Sequence, residues 1–146
     1  MTRGALRTGL AAAGVCVAAA VAYLPSFWVP FQFDDYARLH DNYSLQHGGW
    51  LEALLWLGTA RIVPALTFML NYQVSGFEPL SYHVVNFTVH LLTALGVFAL
   101  ALALCRTPRL RAAWPPRRAL VLATAAALFF ACHPLQTQAV TYIIQR

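Results

Sequence analysis

The sequence predicts an all-α, multi-spanning membrane fold with a helical juxtamembrane loop on its outer face. Of its 146 residues, 60% are hydrophobic and only 10% are charged, whereas soluble domains carry about 25% charged residues. Long uncharged apolar segments run from about 10 to 31, from 84 to 104 and from 119 to 132. A helix needs ~20 apolar residues to cross a bilayer, so these segments are the predicted spans.

The first and third apolar segments each need a separate argument. Arg3 and Arg7 precede the first segment, as in a signal peptide, but its apolar run is longer than a signal-peptide core, which favours an uncleaved helix. The third is uninterrupted only as far as Cys132, which corresponds to ~21 Å of helix. We expect the third span to continue beyond His133-Pro134 or to lie in a locally protected place.

Arginine placement predicts the orientation of the spans. Positively charged loops stay on the cytoplasmic side of a membrane. Arg3 and Arg7 precede the first span, and half of the ten arginines lie between the second and third spans. The amino terminus and that connector are therefore predicted to be cytoplasmic, which puts the loop 32–83 and the segment after His133 outside.

The outer loop contains two predicted helical elements. The segment 50–57 is apolar and begins and ends near tryptophans, which is typical of a helix lying at the membrane interface. A second helix is predicted over about 64–72, with Pro64 in its first turn. Gly76 and Pro79 are expected to end it.

The acidic pair Asp34–Asp35 directly follows the first span and is the leading catalytic candidate. A carboxylate at a partly desolvated membrane edge takes up protons more readily, which suits a general base. If the chain is extended after Phe31, the two side chains point to opposite sides. One acid would then face a ligand, while the other holds a cation or a backbone group. The alternative interpretation is an ordinary pair of solvated loop acids.

Polar residues on the second span form a supporting stripe made of His83, Asn86 and His90. At 100° per residue they lie within about 60° of one another. Polar groups in a membrane helix face a cavity or another helix, so a functional site and simple interhelical hydrogen bonding both remain open. No third ligand accompanies the histidines, so no metal site is predicted; a divalent cation is possible but not required. The three cysteines have no metal-like spacing.

Basic residues on the outer face are candidates for binding a phosphate. Pro134 breaks the helix after His133 and would open side chains to a cavity. Arg61, Arg146 and also Arg38 could donate to phosphate oxygens. The alternative is that these arginines contact solvent or lipid headgroups. The charge is divided among loops between apolar segments, which does not indicate nucleic-acid binding.

Four sequence blocks, taken in order, carry a family resemblance: 31–36 (FQFDDY), 61–72 (RIVPALTFMLNY), 82–92 (YHVVNFTVHLL) and 133–146 (HPLQTQAVTYIIQR). Together they resemble the amino-terminal part of multi-spanning membrane proteins that end in tetratricopeptide repeats. That group includes bacterial members and the animal transmembrane O-mannosyltransferases, and it is similar to the C-type glycosyltransferase fold.

The resemblance implies transfer of a sugar from a polyprenyl-phosphate donor to a protein or glycan acceptor on the outer face. It implies that Asp34 or Asp35 acts as the base on the acceptor hydroxyl or helps to bind a cation. It also implies that Arg61 and His133 bind the donor phosphate; Arg146 is a further candidate for that phosphate because of its charge. The family commonly has glutamate where Gln138 stands, so an acidic role at that position is doubtful. Because later spans and repeats are missing from these residues, we expect an inactive fragment, 1–146, of a longer protein.

A non-catalytic membrane anchor that presents a repeat scaffold for protein assembly is the alternative function. The abundance of alanine and leucine, with arginine as the only strongly basic residue, suggests a GC-rich bacterial genome. The corresponding location is the plasma (inner) membrane, with several spans and a cytoplasmic amino terminus.

Overall fold

The fold is helical throughout the part of the chain that the computed structural model describes, which is residues 3–41, 43–47, 51 and 61–146. No strand occurs in those ranges. The predicted all-α class is therefore confirmed. The interfacial helix predicted over 50–57 lies outside the described residues, except for Leu51.

Six α-helices occur in the described ranges, together with several short helical turns. The α-helices are α1 (Arg3–Tyr23), α2 (Tyr43–His47), α3 (Ile62–Ser75), α4 (Pro79–Cys105), α5 (Pro116–Ala131) and α6 (Thr137–Thr141). A 3₁₀ turn, Leu24–Trp28, extends α1, and a single π-helical turn covers Tyr36–His40. Two further 3₁₀ turns lie at Pro134–Gln136 and Ile143–Gln145.

Proline and glycine set several of these boundaries. Pro79 begins α4, and Pro116 is the first residue of α5 after the extended Pro115, where a missing N–H costs nothing. Gly76 ends α3 with a φ of 59° and donates its N–H to the carbonyl of Tyr72. That left-handed conformation favours glycine. The observed α3 contains the whole predicted 64–72 segment and extends it at both ends.

Two segments are long and apolar enough to cross a membrane, by length and composition: Arg3–Trp28 and Pro79–Cys105. Only 22% of the most apolar window of each is buried inside the protein. Leaving so much apolar surface in water would be unfavourable, so these helices need a lipid surrounding. Pro116–Ala131 and Pro134–Thr141 are bent by 48° and form a third candidate if the pair is counted as one span, as expected from the break at His133-Pro134.

The chain divides into two compact units, and the first consists of Met1–Leu24 and Phe87–Thr137. Its core is built largely from alanine. On α5, Ala119, Ala123, Ala127 and Ala131 recur every four residues and are all buried. The facing helix α1 buries Val15 and Ala19. Small side chains allow helix backbones to approach closely, which is how helices associate in lipid.

The second unit consists of Pro25–Asn86 and Gln138–Arg146, and its core is aromatic. Phe31, Phe68 and Tyr82 pack together, with ring centroids 5.5 Å apart for Phe31–Tyr82 and 6.4 Å for Phe68–Tyr82. Ile143 and Ile144 are buried in the same cluster. Aromatic pairs at these separations add stabilisation beyond area burial. This unit contains the acidic pair.

The backbone around the acidic pair differs from the extended conformation expected from the sequence. Phe33 adopts a φ of 45°, and the chain turns there into a helical segment that contains both Asp34 and Asp35. Asp35 has helical angles of −60° and −39°. The expectation of an extended chain at the acids is therefore wrong, because the chain folds into a turn immediately after Phe33.

We expect Ala127→Leu to separate α1 from α5 and to destabilise the protein. Ala127 is fully buried in the alanine stripe, and overpacking a tight core costs about 1–3 kcal/mol. The matched control is Ala125→Leu, which adds the same atoms at an exposed position of the same helix. Thermal unfolding in detergent measures both. An unchanged melting temperature for Ala127→Leu would contradict the packing described here.

Candidate functional site

The Asp35 carboxylate lies in the second unit and connects two segments that are distant in the sequence. Its Oδ2 accepts a hydrogen bond from the Gln32 N–H at 3.0 Å, and its Oδ1 accepts one from the Ile144 N–H at 2.9 Å. The residue is 1% exposed. Burial raises the pKa of Asp35, although the two backbone hydrogen bonds and nearby His83 oppose that effect. Asp35 therefore holds backbone groups, one of the two roles expected for the pair.

Asp34 differs from its neighbour because its side chain is exposed. Its backbone N–H donates to the Tyr142 hydroxyl at 3.1 Å. Among the described residues, no hydrogen bond or ion pair involves its carboxylate. The turn after Phe33 thus separates the two acids by environment, with one buried and one open.

Arg146 is the centre of a polar cluster inside the aromatic core of the same unit. Its Nε donates to Asn86 Oδ1 at 2.6 Å, its Nη1 to Asn71 Oδ1 at 3.0 Å and its Nη2 to the Tyr82 carbonyl at 3.2 Å. The guanidinium carbon lies 4.4 Å from the centroid of the Phe68 ring, a favourable cation–π geometry.

In the part of the chain that the structure describes, the Arg146 guanidinium contacts neutral groups and no counter-charge. Its three side-chain acceptors and the Phe68 ring are all uncharged. Burial lowers the pKa of Arg146 to about 10, so the side chain stays protonated at neutral pH. A guanidinium has five N–H donors, and the described residues accept from three. A partly desolvated cation with spare donors attracts anions.

His83 and Asn86 lie at the start of α4 and belong to the same unit. His83 Nε2 is 2.8 Å from the Val29 carbonyl, an acceptor only, so Nε2 carries the proton. The buried Nδ1 has no partner among the described residues. Asn86 Nδ2 donates to the Ile143 carbonyl at 3.3 Å, while its oxygen accepts from Arg146. Of these two members of the predicted stripe, Asn86 joins the cluster around Arg146, while His83 contacts the Val29 carbonyl.

Arg61 precedes α3 and is exposed. Its Nη1 lies 3.4 Å from the Ile144 carbonyl, a long hydrogen bond to the residue whose N–H contacts Asp35. Arg61, Arg146 and Asp35 therefore all contact the segment 143–146 or belong to it. Their predicted roles in phosphate binding and catalysis stay predictions.

His90 and His133, which the sequence also indicated, belong to the first unit. His90 Nε2 donates to the Ala131 carbonyl at 3.0 Å, and its ring packs edge-on against Tyr23 and stacks on Phe130. His133 Nδ1 accepts from the Leu135 N–H at 3.2 Å and so caps the 3₁₀ turn. Both contacts are structural, and the role of His133 at the donor phosphate stays a prediction.

Two polar contributors were not indicated by the sequence. Asn71 is buried and accepts from Arg146, and the Tyr142 hydroxyl accepts from Asp34 N–H. Asn71 offered a signal, since it is one of two amide side chains, with Gln73, in the largely apolar helix α3. Tyr142 offered none, because its partner is more than a hundred residues away. In the described ranges, no three histidine, cysteine or acidic residues come together in a way that could hold a metal ion.

These features define a helical membrane protein in which one unit contains both a buried polar cluster and an exposed carboxylate. Comparisons with known proteins agree with that class. Protein O-mannosyl-transferase Tmtc3 of Drosophila melanogaster is 33% identical over 90% of this chain and 16% of its own length. Protein O-mannosyl-transferase TMTC4 of Homo sapiens is 32% identical over 88% of this chain and 19% of its own length. TMTC3 of Mus musculus is 31% identical over 87% and 14%.

The chain belongs to the transmembrane O-mannosyltransferase-like family, which confirms the resemblance noted in the sequence. It spans less than a fifth of the length of these relatives. No protein-family model matches the chain, and no solved structure matches it. The relatives named here are animal proteins, so they give no support to the bacterial origin suggested by composition.

We expect Asp35→Ala to destabilise the protein and Asp34→Ala to leave stability almost unchanged. Removing Asp35 leaves the buried Ile144 N–H without an acceptor, at a cost of about 1–3 kcal/mol. Asp34→Ala removes the same charge from the adjacent exposed position, where changes stay within about 0.5 kcal/mol. Thermal unfolding of both variants in detergent measures the difference. Equal melting temperatures would show that the Asp35 hydrogen bonds contribute nothing.

Stability should fall as pH rises above about 4 in the wild type, and this dependence should disappear in Asp35→Ala. The folded pKa of Asp35 is raised from its ordinary value of 3.8, so the native state holds its proton more tightly than the unfolded state. Proton linkage then makes folding less favourable as pH increases through the folded pKa. Melting temperatures measured from below to above pH 4 test it, with Asp34→Ala as a control that keeps most of the slope, because the Asp34 charge is the smallest cause of the raised Asp35 pKa. A wild-type advantage over Asp35→Ala that widens with pH would contradict it.

Proposed function

We propose that this chain forms part of a membrane glycosyltransferase. It would move a sugar from a polyprenyl-phosphate donor to a hydroxyl of a protein on the outer face of the membrane. The names of its relatives, protein O-mannosyl-transferases, support mannose as the sugar and protein as the acceptor. The observation that carries the proposal is the division of the acidic pair. Asp35 is buried and fixes the backbone, while Asp34 presents an open carboxylate.

Asp34 is the proposed general base. In the reaction, the acceptor hydroxyl loses its proton to the carboxylate, a bond forms from its oxygen to the sugar, and the sugar–phosphate bond breaks. Polyprenyl phosphate leaves with the bonding electrons. A base must reach its substrate, and only Asp34 of the pair is accessible. Asp35 is a positioning residue, because its hydrogen bonds to Gln32 and Ile144 hold the turn that exposes the Asp34 carboxylate.

Arg146 and Arg61 are the proposed contacts for the donor phosphate. The departing phosphate gains negative charge, and fixed cationic donors stabilise such charge best when they are already oriented. Asn86, Asn71 and Phe68 orient the Arg146 guanidinium, which keeps two N–H groups beyond its contacts with the described residues. Arg61 adds an exposed guanidinium. A role for His133 at the donor phosphate rests on the resemblance alone.

The arginine distribution supports an orientation with the amino terminus and the connector between α4 and α5 in the cytoplasm. The acidic pair then faces outward. Composition supports a bacterial plasma membrane. The relatives are animal proteins, so this part of the proposal rests on composition alone. A divalent cation is not required by this mechanism.

We expect Asp34→Asn to reduce sugar transfer by about 10²–10⁴-fold, the usual contribution of a positioned base. Asparagine has nearly the same shape but cannot accept the proton. The assay is transfer of radiolabelled mannose from polyprenyl phosphate mannose to an acceptor peptide, in membranes where each variant is expressed in the full-length protein and the wild-type protein is absent. Asp41→Asn is the matched control, because Asp41 is another exposed acid of the same loop and its carboxylate contacts His40.

Wild-type transfer by Asp34→Asn at normal expression would rule out Asp34 as the base. Equal losses in Asp34→Asn and Asp41→Asn would indicate a general charge effect instead. Absence of transfer in the wild-type protein, with donor and acceptor both varied, would favour the non-catalytic anchor.

A further inference from the structure

A large cavity lies at the end of the first unit where α1 begins, α4 ends and α5 begins. Its volume is about 1250 Å³, more than the ~300–1,000 Å³ of a typical small-molecule pocket. Four arginines line it: Arg7, Arg106, Arg111 and Arg117. The proposed sugar-transfer mechanism uses none of them.

The charge in this cavity is uncompensated. The first unit, Met1–Leu24 and Phe87–Thr137, contains seven arginines and no aspartate or glutamate. In the described part of the chain, the four guanidinium groups that line the cavity make no hydrogen bond or ion pair. All four side chains are exposed. Converging cations without counter-charges favour binding of an anion.

Apart from Thr8, the rest of the cavity wall carries no polar hydroxyl, amide or charged side chain and is largely apolar. Leu102 and Leu120 line it, and the half-buried Trp114 lies among the arginines. Tryptophan and arginine together are typical of the depth at which lipid headgroups lie. The first turn of α5 starts at Pro116 in the same wall, and its free N–H groups add positive potential. Free phosphate would use the cations and leave the apolar wall unfilled.

We propose that this cavity binds the phosphate-bearing headgroup of an anionic membrane lipid, with the arginines around the phosphate and the apolar wall against the start of the acyl chains. Positive loops also fix topology without binding any particular lipid. The two explanations differ in one respect. Topology depends on how many arginines the loop carries, whereas a binding site depends on which arginines line the cavity.

The chain offers a matched pair of variants for this distinction. The cavity variant carries Arg106→Gln, Arg111→Gln and Arg117→Gln. The control variant carries Arg3→Gln, Arg109→Gln and Arg118→Gln, which removes the same charge from the same unit at positions that do not line the cavity. Circular dichroism of both proteins in detergent reports whether the helices are retained.

Binding of dioctanoyl-phosphatidylglycerol to the detergent-solubilised chain is measured by native mass spectrometry, with dioctanoyl-phosphatidylcholine and inorganic phosphate as the other probes. Each arginine near an anionic headgroup contributes roughly fivefold in affinity. We therefore expect the cavity variant to bind phosphatidylglycerol at least about tenfold more weakly and the control variant to lose less than about threefold. Wild-type protein should prefer phosphatidylglycerol to both other probes.

Equal weakening in the two variants would overturn the proposal in favour of general attraction to a basic loop. Binding of phosphatidylcholine with the same affinity would overturn it in favour of an apolar groove. Binding of inorganic phosphate as tightly as the lipid would overturn it in favour of a free-phosphate site. If the cavity variant loses its helices, the single variants Arg111→Gln and Arg109→Gln repeat the comparison within one connector. This test does not involve Asp34 or Asp35, so its outcome is independent of the sugar-transfer proposal.

Discussion

The second unit depends on one interaction, the pair of backbone hydrogen bonds accepted by the Asp35 carboxylate. Gln32 lies just before the acidic pair and Ile144 more than a hundred residues later, so one side chain connects the two segments. A buried backbone N–H without an acceptor is costly, and in an apolar setting a carboxylate is a strong acceptor for it. The turn after Phe33, the exposure of Asp34 and the position of Arg146 all follow from this connection.

The same reasoning explains the composition of the cluster around Arg146. A guanidinium removed from water needs hydrogen-bond acceptors around its N–H groups. Here two amide side chains, one backbone carbonyl and one aromatic face supply that environment. The groups are neutral, so the positive charge is oriented without being cancelled. Such an arrangement is suited to stabilising an external anion, whereas a buried ion pair would already be satisfied. The first unit differs, since alanine packing stabilises it and its charges lie at one end.

The sequence was sufficient for the class of fold, because membrane helices follow from hydrophobicity and length, both of which are local. The observed helices α1, α4 and α5 overlap the three predicted segments. The exact ends of the helices were harder to predict. The first helix includes Arg3, since a basic residue at a helix end is compatible with the membrane interface, and it changes to a 3₁₀ turn at Leu24. The conformation at the acidic pair was predicted wrongly, because nothing local reveals that Ile144 will require an acceptor there.

The sequence by itself determined the family and the candidate site residues: the acidic pair, the polar residues of α4, Arg61 and Arg146. The tertiary structure alone decided the environment of each candidate. It placed Asn86 in the cluster around Arg146, His83 against the Val29 carbonyl and His90 in the packing of the other unit, although all three lie on one helix. It also separated Asp34 from Asp35 by burial. The physical reason is that residue type and periodicity are properties of a segment, whereas burial and hydrogen-bond partners depend on contacts between segments far apart in the chain.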